Sequence, residues 1–66
     1  MKLQINGEIR EIASVANVRE LLKTLGIRES MVVVEINREL IRRADWENTR
    51  IADQDKVEIV QFVGGG

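Results

Sequence analysis

A chain of 66 residues is one domain near the lower limit at which a core stabilises a fold unaided, since a domain of this size buries only about 60% of its unfolded surface. With 44% hydrophobic and 32% charged residues and no proline it reads as a compact domain rather than a disordered one, and the absence of cysteine and histidine excludes a disulfide, a Cys/His metal site, a thiol nucleophile and an imidazole base. A net charge of −1 with both signs scattered along the chain argues against a nucleic-acid partner. The longest apolar run, residues 31–34, is too short for a membrane span or a signal-peptide core, so no membrane partner and a cytoplasmic location are expected.

Met1, Leu3 and Ile5 alternate with Lys2, Gln4 and Asn6, the period of a half-buried strand, and Asn6-Gly7 is a strong hairpin turn. The return strand spans residues 8–12, where Ile9 and Ile12 break strict alternation; a bulge or an early exit from the ladder is expected there. Val18, Leu21, Leu22 and Leu25 then fall at i, i+3, i+4 and i+7, one face of a helix. Asn17 suits the N-cap, Glu20 completes a capping box, and Gly26 is the C-terminal stop.

Residues 31–36 are rich in β-branched side chains and predict a strand with Val32, Val34 and Ile36 inward and Val33 and Glu35 outward. Asn37-Arg38 predicts a turn into a short strand over residues 39–42. Residues 43–55 read as an irregular crossover anchored by Trp46 and Ile51 and closed by the turn Asp53-Gln54-Asp55. The final strand, residues 56–63, leads into glycine. Two hairpins around one helix predict an α+β fold, a mixed sheet of four to five strands curled over one main helix.

The chain closes Val63-Gly64-Gly65-Gly66, and uses glycine elsewhere only at Gly7 and Gly26. Residues without side chains cost entropy to hold still and pack nothing, so stability alone gives no reason for such an ending. An extended glycine strand enters a channel too narrow for any Cβ, and three residues reach roughly 10 Å at about 3.3–3.6 Å each. Its tip is the α-carboxylate of Gly66, a reacting group for an enzyme that grips a protein by its end. The competing reading is a plain flexible terminus. The expected division is therefore a domain body over residues 1–63 and a flexible tail over residues 64–66.

The segments Lys2-Leu3-Gln4-Ile5-Asn6-Gly7-Glu8, Val32-Val33-Val34-Glu35-Ile36-Asn37 and Asp55-Lys56-Val57-Glu58-Ile59-Val60-Gln61-Phe62-Val63-Gly64-Gly65-Gly66 together resemble the ThiS family of sulfur carriers in thiamine biosynthesis, over the whole chain. The resemblance implies a β-grasp (ubiquitin-like) fold. It implies that a ThiF-like enzyme, using ATP and magnesium, adenylates the Gly66 carboxylate. A sulfurtransferase or cysteine desulfurase then supplies a persulfide sulfur, and the resulting thiocarboxylate is handed to a ThiG-like thiazole synthase. The carrier would have no catalytic residue and would bind no metal or cofactor of its own. One departure is Gln54, where the family commonly has glycine; if that turn requires φ > 0, Gln54 is strained or the turn type differs.

Partner enzymes need a surface to hold. With Val57 and Ile59 in the core, Glu58, Val60 and Phe62 project from the opposite face, with Val33 and Glu35 beside them. Exposed apolar residues next to the tail mark a docking face; the alternative is that Phe62 folds back over the sheet edge. Trp46 reads as a core plug, and Arg42-Arg43 as a solvated edge that discourages strand pairing. Rival readings are the small subunit of molybdopterin synthase, which is usually longer, a ubiquitin-like modifier that joins Gly66 to lysines, and a β-grasp interaction or RNA-associated module without tail chemistry.

Overall fold

Turn chemistry folds the first dozen residues into a hairpin. In the computed structural model, which describes residues 1–62, β1 (Lys2–Ile5) pairs antiparallel with β2 (Glu8–Glu11) across Asn6 at φ 50° and Gly7 at φ 82°. Two successive positive φ angles are the type I′ turn that matches the twist of the strands. The pairing runs in unbroken register from Lys2↔Glu11 to Ile5↔Glu8, so no bulge forms. Nor does the chain exit early, since the same register carries on to Met1 and Ile12. Ile12 turns inward and is buried, and its N–H donates to the Met1 carbonyl at 2.8 Å while the Met1 amino group donates to the Ile12 carbonyl at 2.7 Å.

The helix forms where every local signal agrees. α1 (Val18–Leu25) starts at Asn17, whose Oδ1 accepts the Glu20 N–H at 2.9 Å; Glu20 Oε1 in turn accepts the Ala16 N–H at 3.0 Å. The reciprocal box thus reaches one residue further back than usual. Gly26, at φ 71°, ends the helix with its N–H toward Lys23 and the Ile27 N–H on the Leu22 carbonyl at 2.9 Å, a Schellman closure that only a residue tolerant of the left-handed region makes without strain. Val18, Leu21 and Leu22 are fully buried.

The second half adds β3 (Val32–Ile36), β4 (Glu39–Ile41) and β5 (Lys56–Gln61). The sheet has five strands in the order β2-β1-β5-β3-β4, with β5 parallel to β1 and antiparallel to β3. Two short 3₁₀ turns, Glu29–Met31 and Arg43–Asn48, were not legible in the sequence; the second holds Trp46. That indole is 1% exposed and its Nε1–H donates to the Ile41 carbonyl at 3.0 Å, so Trp46 plugs the core while its one polar atom is satisfied. The core between sheet and helix is wholly apolar, and contains no buried polar or charged residue among the described ones.

Among the described residues two sit in the left-handed region without being glycine or asparagine: Arg38 at φ 72° in the β3–β4 turn and Gln54 at φ 75°. Gln54 therefore keeps the turn that glycine favours and is strained. What holds it is long-range: its N–H donates to the Lys2 carbonyl at 2.7 Å, and the Lys2 N–H returns to Asp53 Oδ1 at 2.6 Å. The left-handed region costs a side-chain-bearing residue roughly 1–2 kcal/mol, partly offset by the greater entropy glycine loses on folding. Gln54→Gly is accordingly expected to raise stability by a few tenths to about 1 kcal/mol, read as a higher urea midpoint at unchanged slope; a lower midpoint would refute the strain.

The Lys2 backbone N–H, helped by the Gln54 amide, holds the Asp53 carboxyl below the usual aspartate range. A carboxylate whose folded pKa is depressed contributes stability that is present above the unfolded pKa and lost as pH falls through the folded one. Asp53→Asn should therefore lower the denaturant midpoint near neutral pH. The difference from the parent should shrink as pH drops from about 4 to below the folded pKa, since a protonated Asp53 resembles asparagine. A difference that is constant across that acid window would show that Asp53 contributes no linked charge.

Candidate functional site

The tail follows β5, so the site is built from the bottom of that strand upward. In β5 the backbone groups of odd-numbered residues face β1: the Asp55 and Val57 carbonyls accept the Gln4 and Asn6 N–H groups at 3.0 and 2.9 Å. Those of even-numbered residues face β3, where Asn37 N–H donates to the Lys56 carbonyl at 2.7 Å and Phe62 N–H to the Met31 carbonyl at 2.8 Å. Two asparagines finish the ladder with side chains. Asn6 Oδ1 accepts the Ile59 N–H at 2.7 Å and its Nδ2 donates to the Ile59 carbonyl at 3.1 Å; Asn37 Oδ1 accepts the Lys56 N–H at 3.0 Å. Each replaces a strand neighbour at the point where its own strand turns away.

Side-chain parity divides the same strand by face. Val57 and Ile59 are buried, whereas Lys56, Glu58 and Val60 are exposed on the opposite side. Register brings Val33 opposite Val60 and Glu35 opposite Glu58, with Leu40 of β4 opposite Glu35. Phe62 extends the pairing by one residue at Met31. Val60 is 59% exposed and Phe62 51%; Phe62 does not fold away. Val33, Glu58, Val60 and Phe62 thus stand together on one face beside the root of the tail, as expected, while Gly64, Gly65 and Gly66 lie outside the described residues.

Two exposed apolar residues of this face were missed: Leu40 at 58% and Ile9 at 66%, which stands opposite Gln4 on β2. The adjacency of Leu40 and Ile41 was the available signal, because two neighbours in a strand cannot both point inward. Glu35 and Glu58 form a directly opposed pair of like charges, an arrangement that costs rather than contributes stability. Arg42 and Arg43 are exposed at the end of β4. On the helix side Arg19 spans two elements, with Nη1 on Glu47 at 3.0 Å and Nε 3.1 Å from Glu29; the second approach is an ion pair without hydrogen-bond alignment. Among the described residues no group of three or more acidic, histidine or cysteine side chains could hold a metal ion, and no helix is long and apolar enough to cross a membrane.

Comparison with known proteins places these features. The sequence profile of the ThiS family matches residues 3–66. The sulfur carrier protein ThiS of Bacillus subtilis is 34% identical over 65 residues, covering 97% of this chain and 98% of that protein. A thiazole synthase from Paramagnetospirillum magneticum is 42% identical over 66 residues; the alignment takes in all of this chain, which spans only 20% of that protein. The crystal structure of the thiamine biosynthesis protein ThiS from Geobacter metallireducens superposes with a TM-score of 0.86 at 36% identity, covering both chains in full. Its match to the five-stranded sheet and single main helix identifies the fold as β-grasp. The chain belongs to the ThiS family.

Proposed function

We propose that the chain is a sulfur carrier of thiamine biosynthesis, a protein acted upon by partner enzymes rather than a catalyst, with Gly66 as the carrying residue. The observation that carries this reading is the family match through residue 66, which takes in the three glycines, joined to a β5 whose exposed apolar face leads straight to them. A free α-carboxyl has a pKa of about 3.3–3.7, so Gly66 is an anion at neutral pH and a poor electrophile. A ThiF-like partner transfers AMP from ATP to the carboxylate and releases pyrophosphate, with magnesium and cationic groups of that enzyme offsetting phosphate charge.

The terminal sulfur of a persulfide on a sulfurtransferase or cysteine desulfurase then bonds to the acyl carbon and AMP leaves. A second thiol breaks the S–S bond, forms a disulfide with the donor cysteine, and leaves a thiocarboxylate on Gly66. That sulfur passes to a ThiG-like thiazole synthase. The relative in which a stretch like this chain makes up one fifth of a thiazole synthase supports that partner, since one polypeptide there carries both. The body of this chain supplies no acid, base or metal to these steps. Its part is to present a narrow, chemically plain strand end and a surface on which enzymes orient it.

The docking face is Val33, Glu58, Val60 and Phe62. Its apolar residues offer area to be buried, and the opposed Glu35 and Glu58 offer a place for a cationic group of the partner, whose arrival relieves their repulsion. Gly64 and Gly65 thread the tail beside the nucleotide. In material purified from its own cell, a mass increase equal to the exchange of one oxygen for one sulfur marks a carrier, whereas conjugates with other proteins mark a modifier.

Removing Gly65 and Gly66 should leave the thermal midpoint nearly unchanged, because two glycines bring no side chain to a core, and should abolish adenylation measured as ATP–pyrophosphate exchange. Gly65→Val retains the carboxylate but adds a β-branched side chain to the threading strand, and exchange should collapse through lost positioning. Either variant adenylated at the parent rate would refute the role of the tail.

Phe62→Ser should weaken binding to the adenylating enzyme by roughly 1–3 kcal/mol with little change in denaturant midpoint. A core phenylalanine behaves oppositely, since its removal costs about 3–5 kcal/mol of stability. Titration calorimetry and urea unfolding on the one variant separate the two, and unfolding with intact affinity would overturn the docking role.

A further inference from the structure

The two edges of β5 do not end together. Toward β3 the pairing continues to Phe62, whose N–H reaches Met31. Toward β1 it stops at Ile59, closed by the Asn6 side chain. Gln61 shares the parity of Asp55, Val57 and Ile59, so its N–H and carbonyl point to the β1 side, where the chain has already turned away through Asn6-Gly7. Among the described residues no backbone or side-chain group meets either of them. An open donor and acceptor on a strand edge are what an added extended chain recognises.

At this edge lies a groove of about 280 Å³ whose lining includes the apolar Ile5, Leu25, Ile27 and Ile59 together with Gln61 and Arg10. Leu25 and Ile27 are half-buried, and Arg10, on the inner face of β2 opposite Leu3, is exposed and forms no ion pair among the described residues. The glycines later in the sequence carry no side chain to fill such a groove. A second copy set on the same edge would bring two Arg10 side chains together. An occupant that satisfies all three features is an extended segment with an apolar side chain and a carboxylate.

We propose that the adenylating enzyme adds such a segment as a strand on the open edge of β5, hydrogen-bonded to Gln61, with an apolar side chain in the groove and an acidic one against Arg10. This rests on the carrier reading above and specifies how the tail is held. A strand bonded to Gln61 fixes the end of β5 from which the tail departs, which lowers the entropy lost on threading. It uses the edge and inner side of the sheet, so it is separate from the outer face of Val60 and Phe62.

The test is amide hydrogen exchange by NMR on the full-length labelled protein, alone and saturated with the adenylating enzyme of its own organism, with ATP–pyrophosphate exchange measured in parallel. In the free protein the Gln61 amide should exchange fast while Ile59 and Phe62, both bonded, exchange slowly; the enzyme should slow Gln61 by about tenfold or more. Arg10→Glu and Ile27→Asp, each checked for fold by its NMR spectrum, should each weaken binding by about tenfold. A Gln61 amide that stays fast in a complex that still activates Gly66 overturns the added strand and spares the carrier reading. So does protection of Gln61 already in the free protein, or parental affinity in a folded Arg10→Glu. Failure of the enzyme to activate Gly66 at all overturns both.

Discussion

A strand that comes last in sequence has to lie in the middle of the sheet, and the rest of the structure is arranged around that constraint. Central placement gives β5 a partner on each side and lets Val57 and Ile59 reach the deepest part of the core. It also demands that the chain cross from β4, at one edge, back to the centre. The crossover is made useful by burying Trp46 and Ile51 along it, and it is tied to the helix where Asn17 bridges Arg50 and the Val18 N–H meets the Thr49 carbonyl at 3.1 Å. Closure of so long a loop costs entropy only logarithmically, so a few such ties suffice. β5 is thereby fixed on both sides at its base, by Gln4 and Ile5 of β1 and by Ile36 of β3.

Polar order is kept at the rim. With no buried polar or charged residue among the described ones to select one packing, register is set by Asn6 and Asn37, by Asp53 on the Lys2 N–H, and by Asp55, whose carboxylate takes the Ala52 N–H at 2.9 Å and the Asn37 amide at 3.1 Å. These groups cluster where β1, β3 and β5 begin or end, so each specifies how far one strand is slid against another, and a slip by one residue would turn every side chain to the wrong face. The strain at Arg38 and Gln54 is tolerated because the surrounding bonds over-determine it. A small domain has only a few kcal/mol in reserve, so both positions count in its stability.

Much of this was legible because the signals are local. The helix was readable from spacing, cap and stop within ten residues, and the faces of β3 and β5 from their period of two. That Val33, Glu58, Val60 and Phe62 share the outer face of the sheet follows from that period alone. What could not be read depends on distant contacts or weak patterns. Ile9 and Ile12 are alike in sequence, yet one is exposed and the other buried because the register set by pairing with β1 runs unbroken past both and puts residues three apart on opposite faces. The conformation of Gln54 is decided by Lys2, fifty-two residues earlier. The 3₁₀ turns are too short to carry a hydrophobic period, and the open edge at Gln61 exists only because β1 is shorter than β5.

The two parities of β5 make its functions separable. An odd residue gives its side chain to the core and its backbone to β1; an even residue gives its side chain to solvent and its backbone to β3. Residues 58, 60 and 62 can therefore vary in side chain to suit a partner without disturbing packing, because their structural contribution is made by the main chain. The opposed Glu35 and Glu58 illustrate the consequence: their repulsion is borne by a ladder that does not depend on either side chain. Gln61 is the residue at which the scheme runs out, with odd parity but no β1 beside it, and there the main chain itself becomes available for recognition.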